Sequence, residues 1–310
     1  MNGKFSRKEM LKLSGAALAG ASLMGVAGCG SGGSEGDGSD SSSDNSNKTL
    51  TLGDIGWTES IAVSNLTKVL FEEDLGYRSV DLKTLDVSLL FKGVGGGDLA
   101  AFQDVWMPNH RSLLNNVKDQ VEHLDPWFEG KTSFGLAVPS YMEVTSLADL
   151  NDSPAEVIIG IEPGTPMVKK VNNSVIPAYD LKIEQKASST AGMLSEMERR
   201  YPEESPFVFM PWCPHWMCNE YDFRFLDDPK DAQGDLNDPA SISTIVNKNL
   251  PEDDPTAYAF MKAFTMNEEE LNSLENEIRK EGDDAVAGAT VWLESNRDVV
   301  KPWLEAANNA

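Results

Sequence analysis

Residues Thr49–Trp57 read TLTLGDIGW. Leu50 and Leu52 alternate with threonines, the period of a half-buried β-strand, and Gly56 breaks the run just before Trp57. Two later stretches end the same way. Asp98–Pro108, DLAAFQDVWMP, runs to Trp106, and Ser205–Pro214, SPFVFMPWCP, runs to Trp212. In open α/β sheets the ligand crevice lies outside the carboxyl ends of the strands. An indole face attracts a desolvated cation. A single tryptophan at such a place is explained by packing beside a helix; three at corresponding strand ends favour a cleft walled by aromatic faces.

Working outward, Ala62, Leu66, Val69 and Leu70 fall at helical spacing after Trp57, YRSVDLKTLD is a second strand, and a short helix reaches the cluster Gly95-Gly96-Gly97. The same grammar returns from Val157. EVIIGIEPG is a strand with a turn, TPMVKKVNNSVIPAY a helix capped by Thr165 with Pro166 at its first position, LKIEQKASS a strand, TAGMLSEMERRY a helix and SPFVFMPW a strand. Trp57 to Trp106 and Pro163 to Trp212 are equal intervals, which points to two similar β-α-β-α-β units. Thr132–Leu150 reads as a strand leaving the first unit, and from DFRFLDDP the chain returns to it. Pro255 to Trp303 is helical. The expected fold is α/β and two-lobed, each lobe a mixed sheet flanked by helices, with lobe one as 48–137 plus 229–310, lobe two as 138–228 and two hinge crossovers.

The start of the chain reads differently. Lys4, Arg7, Lys8 and Lys12 precede the apolar stretch LSGAALAGASLMGVAG, and small residues lead to Cys29. That is a signal peptide over 1–28, too short for a membrane span. SRKEMLKL leaves the export route open between general secretion and a twin-arginine-like signal. The segment after Cys29, GSGGSEGDGSDSSSDNSN, has no apolar residue and is expected to be a disordered tether through 47.

The formal charge is −24, from 26 Lys and Arg against 50 Asp and Glu. Such acidity argues against nucleic acid and against an anionic membrane surface as partners. Outside the Gly/Ser-rich tether no G-x-S-x-G occurs, and there is no H-E-x-x-H, P-loop or strand-following G-x-G-x-x-G, so the chain is not expected to be an enzyme and no cofactor is expected. Cys213 and Cys218 leave two readings open, a disulfide in an oxidising compartment or, with His215, a soft-ligand metal cluster in CPHWMC. Trp292 and Trp303 lie in helical patterns and are expected in the core; Trp127 and Trp216 fit core or rim.

Together GDIGWTESIAV, VWMPNH, GLAVPSYM, IIGIEPG, PWCPHWM and YDFRFLDDP resemble the glycine betaine/choline-binding proteins of ABC importers, in order from about Leu50 to Trp303. Cys29 in VAGC resembles the lipobox cysteine of bacterial lipoproteins. The resemblance implies a periplasmic-binding-protein fold (type II-like) closing on a trimethylammonium group, a monomer that serves a permease from outside the cell membrane, held there by a lipidated Cys29. It implies an aromatic cage of Trp57, Trp106 and Trp212 with Phe134 beside it. It also implies a polar end made of the Gly160 and Ile161 amides, His110 or Arg111 for a ligand carboxylate, and Glu59 for a ligand hydroxyl. Glu59 equally suits the first turn of its helix. Glycine betaine, choline and carnitine all fit. A solute-sensor subunit of the same fold is the alternative.

Overall fold

Because Leu50 and Leu52 turn inward on alternate positions, Thr49–Asp54 forms a strand buried against helices on either side. It lies second in a five-stranded sheet ordered Ser79–Thr84, Thr49–Asp54, Ala101–Met107, Ser241–Asn247, Val121–Pro126. The first three strands are parallel, and Ser241–Asn247 is antiparallel to both of its neighbours. The computed structural model describes residues 45–310. The expected leader over 1–28, Cys29 and the tether as far as 44 lie outside the described residues. Asn45, assigned to the tether, is instead buried, and its side-chain amide donates to the Leu75 carbonyl.

A second five-stranded sheet is ordered Phe223–Phe225, Ala137–Pro139, Val208–Phe209, Val157–Ile159, Glu184–Lys186. Val208–Phe209, Val157–Ile159 and Glu184–Lys186 run parallel. In both sheets the parallel triplet has the same order, second strand, first strand, third strand. The equal intervals in the sequence therefore correspond to equal topology. The chain leaves the first sheet after Val121–Pro126 and re-enters it at Ser241–Asn247, so two connections join the lobes. Ala137, assigned by sequence to the first lobe, pairs with Phe209 and Phe225 in the second sheet. SPFVFMPW was expected to be one strand; the ladder stops at Phe209, ahead of Pro211, which has no N–H to donate. Trp212–Cys213 then pairs with Ser133–Phe134 in a separate two-stranded ribbon.

The turns obey their local chemistry. Thr165 caps Pro166–Lys170 by accepting from the Val168 amide. Val87–Gly96 ends at Gly97 in the left-handed region, so the glycine cluster is a helix end. Helix Thr58–Val69, which starts at Trp57, packs against the helices Glu268–Lys280 and Ala285–Asn308. The last of these is interrupted at Asn296 and carries Trp292 and Trp303 into the core. Among the described residues no helix is long and apolar enough to cross a membrane.

The two C-terminal helices touch where Gly288 faces Ile278. A Cβ at Gly288 would overlap the Ile278 Cα and stand 2.7 Å from its backbone nitrogen. Backbone cannot rotate out of the way as a side chain can, so Gly288→Ala is expected to lower stability by about 1–3 kcal/mol. Urea unfolding measures it, and an unchanged midpoint would contradict this packing.

Candidate ligand site

The carboxyl ends of the parallel strands from both sheets face one another, and each supplies an aromatic side chain. Trp57 follows Thr49–Asp54, Trp106 lies at the end of Ala101–Met107, and Trp212 follows Val208–Phe209. Phe134 reaches the same place because the Trp212–Cys213 ribbon pairs Trp212 with Phe134. These four rings, with Glu59, Asn109 and Ile161, line one small cavity. The rings form two tilted pairs. Trp57 and Trp212 have centroids 6.0 Å apart at 45°, and Trp106 and Phe134 6.5 Å apart at 54°.

A buried indole must find an acceptor for its N–H, and here each of the three finds a carboxylate. Trp106 donates to Asp104 Oδ1 at 2.8 Å, two residues back on the same face of its strand. Trp212 donates to Glu59 Oε2 at 3.0 Å, and Trp57 donates to Glu162 Oε2 at 3.0 Å. Glu59 and Asp104 are fully buried, and each keeps one oxygen (Glu59 Oε1, Asp104 Oδ2) without a hydrogen-bond partner. Asn109 Oδ1 is likewise buried and unpartnered.

Four carboxyl groups, Asp54, Glu59, Asp104 and Glu275, are buried here, and burial raises the proton affinity of each. Burial pushes Glu59 up to about 8, with the charges of Glu275 and Asp54 adding to it. Glu275 is also pushed up to about 8 by burial, with Asp104 adding to it. Asp104 is raised well above the usual carboxylate range by burial and by Glu59. The histidines move the other way. Burial lowers His110 to about 3, so it is neutral, and its Nδ1 accepts from the Trp106 amide while its ring lies 6.0 Å from that of Trp57. His110 backs Trp57 and brings no positive charge to the cavity.

Not every residue singled out in the sequence reaches this cavity. Arg111 points elsewhere. Its guanidinium is exposed, pairs with Asp235 at 3.1 Å and lines a separate groove beside Lys169 and Lys170. The first residue after the turn at Pro108 to face the cavity is Asn109, which sequence reading passed over in favour of His110 and Arg111. Gly160 does not line the cavity, because its amide is committed to the Lys186 carbonyl at 2.9 Å as the strand extends. Ile161 does line it. Asp104 and Glu162 were also passed over. The signal for Asp104 was its two-residue spacing from Trp106, and Glu162 stood in plain view in the IEPG turn.

The metal reading of Cys213, His215 and Cys218 is corrected by their bonding. The two cysteines are joined in a disulfide, His215 Nε2 is 2.7 Å from Thr58 Oγ1, and its Nδ1 accepts from the Met217 amide. All the donor atoms a metal would use are engaged. The disulfide loop instead packs on Trp212, with the His215 ring 4.9 Å from that of Trp212 at 80°. Trp127 is core, donating to the Gln103 carbonyl, and Trp216 carries the Arg279 guanidinium 4.0 Å above its ring.

Known proteins share this architecture. A family model described as the substrate binding domain of ABC-type glycine betaine transport systems matches residues 48–295. The glycine betaine/carnitine transport binding protein GbuC of Listeria monocytogenes serotype 1/2a (strain 10403S) is 32% identical over 159 residues, 51% of this chain and 52% of that protein. The chain thus matches about half the length of this curated relative. Lactococcal OpuAC, solved closed and complexed with glycine betaine, is 27% identical with a TM-score of 0.74, covering 83% of this chain and 100% of that one. The glycine betaine/L-proline-binding protein ProX of Borrelia burgdorferi is 25% identical with a TM-score of 0.77, covering 84% and 99%. The fold is the two-lobed, mixed α/β fold of periplasmic binding proteins, and the family is a substrate-binding component of transporters, not an enzyme. This chain belongs to the family of substrate-binding domains of ABC-type glycine betaine transport systems.

Proposed function

We propose that this protein is the extracytoplasmic solute-binding lipoprotein of an ABC importer, capturing a quaternary ammonium compound between its lobes and delivering it to the permease. Glycine betaine, choline and carnitine are the candidate ligands, and Cys29 is the proposed lipid anchor. Lobe one is taken as 48–136 plus 229–310 and lobe two as 137–228, with the first crossover ahead of Ala137 because that residue pairs in the second sheet. The observation that carries the reading is the cavity between Trp57, Trp106, Phe134 and Trp212, whose ionisable lining group among the described residues is the acid Glu59.

The chemistry follows from that lining. A quaternary ammonium ion has no N–H to satisfy, so aromatic faces replace its hydration without leaving a donor unpaired. Three desolvated cation–π contacts of about 2 kcal/mol each give about 6 kcal/mol. Micromolar binding requires about 8 kcal/mol net of the cost of association. The difference falls to buried methyl groups and to the polar end of the ligand. Glu59 suits either kind of polar end, since the protonated acid donates to a ligand carboxylate and the ionised acid accepts from a ligand hydroxyl.

Trp106→Ala and Trp212→Ala are each expected to weaken binding of glycine betaine, choline or carnitine at least about 100-fold, the scale of an interface anchor residue. Calorimetry with a circular dichroism control checks this, and wild-type affinity in both variants would contradict the cage. Glu59 also sets a pH dependence. Its proton affinity is raised by burial, and a cation in the cavity favours the ionised form, so binding expels the proton. Affinity for tetramethylammonium is therefore expected to rise between about pH 6 and about pH 8, with proton release seen by calorimetry in buffers of different ionisation enthalpy. Glu59→Gln flattens that slope; a wild-type affinity independent of pH would contradict the role given to Glu59.

A further inference from the structure

Two of the three indole–carboxylate bonds cross from one lobe to the other. Trp212, from the second lobe, donates to Glu59 on helix Thr58–Val69 of the first. Trp57, from the first lobe, donates to Glu162 in the turn after strand Val157–Ile159 of the second. The two crossings differ in their surroundings. Around Trp212 the lobes are joined several times over. Thr58 meets His215 at 2.7 Å, the Trp216 amide donates to Glu275 at 3.1 Å, and Arg279 pairs with Glu220. At Trp57 the join is Glu162.

Glu162 is held ready for that bond from its own side. Its Oε1 accepts from the Thr190 amide at 2.6 Å, and its Oε2 accepts from the Thr190 hydroxyl at 3.1 Å as well as from the indole. Thr190 is buried at the start of helix Thr190–Arg200. The carboxylate is thus oriented by the second lobe and aimed at a side chain of the first. It lines no part of the cavity, so it acts on a ligand through Trp57 alone.

From this geometry we infer that Glu162 is a positioning residue that latches the closed lobes by holding the Trp57 indole, so that one side chain both walls the ligand and locks the cleft over it. The inference rests on reading the cavity as a cation site. Bound ligand fixes the Trp57 face, which fixes its N–H on Glu162, and the cleft opens only when that bond breaks. Closing and ligand capture are therefore one event at this residue. A latch formed after encounter slows escape and leaves entry alone, a signature that loss of general stability does not give.

The test is stopped-flow tryptophan fluorescence on the full folded body with choline and with glycine betaine. Glu162→Ala is expected to speed dissociation about tenfold, equivalent to about 1.4 kcal/mol, with association within about twofold of wild type. Glu162→Met keeps the side-chain length without an acceptor; it is expected to match the alanine variant and stands in for it if that chain fails to fold. Thr190→Val removes the hydroxyl bond but not the indole bond and is expected to stay within about threefold of wild type. Unchanged dissociation, or an equal change in both rates, overturns the latch. If wild type binds neither compound, the cation-site reading fails, and the latch is judged by small-angle scattering. In that case Glu162→Ala must have a larger radius of gyration than wild type, and equal radii overturn it.

Discussion

A tryptophan buried in a cleft imposes two demands at once. Its face offers a surface to a cation, and its edge carries an N–H that cannot be left unpaired away from water. In this protein all three cleft tryptophans meet the second demand with a carboxylate, at 2.8–3.0 Å. An acceptor that is ionised, or becomes ionised, places negative charge behind a ring that lines the cavity. Two of these acids, Glu59 and Asp104, are fully buried among further acids. Such a cluster is unfavourable when every member is charged. Protonation relieves it in the absence of a cation, and a cation relieves it by charge. Ring faces, acids and protons thus form one coupled unit.

The repeated topology delivers that unit. Two parallel triplets of the same strand order direct their carboxyl ends at a common cleft, and each contributes tryptophan there. Neither triplet makes a cage alone. Trp57 and Trp212 meet at 6.0 Å because two connections hold the sheets together across it. Glu59 and Glu162 then take their indole partners from the opposite half, which makes lobe contact and cage geometry the same set of bonds.

Much of this was legible in the chain itself. The first two strands announce themselves by alternation, and the return of the chain to the first lobe was read from DFRFLDDP onward. That Trp57, Trp106 and Trp212 line one cavity was legible because each tryptophan stands at the end of a strand-like run. The acids were harder. Asp104 and Glu162 look like two of the 50 acidic residues until their side chains are seen to face an indole. Arg111 misled because its charge suits a ligand carboxylate, yet helix Arg111–Val117 turns it outward to Asp235. Gly160 misled because a turn amide and a ladder amide look alike in sequence; one more residue of strand pairing consumed it. The cysteines were undecided because two thiols and an imidazole suit a metal as well as a bond, and it is the fold around Trp212 that brings the sulfurs together.

The proposed ligand is a quaternary ammonium group enclosed by ring faces from both lobes in front of Glu59. The most direct measurement is a crystal structure of the protein grown with choline. Density for the trimethylammonium head is expected between Trp57, Trp106 and Trp212, its nitrogen within about 6 Å of each ring centroid. Density for the head in another groove, or in contact with fewer than two of these indoles, would contradict it.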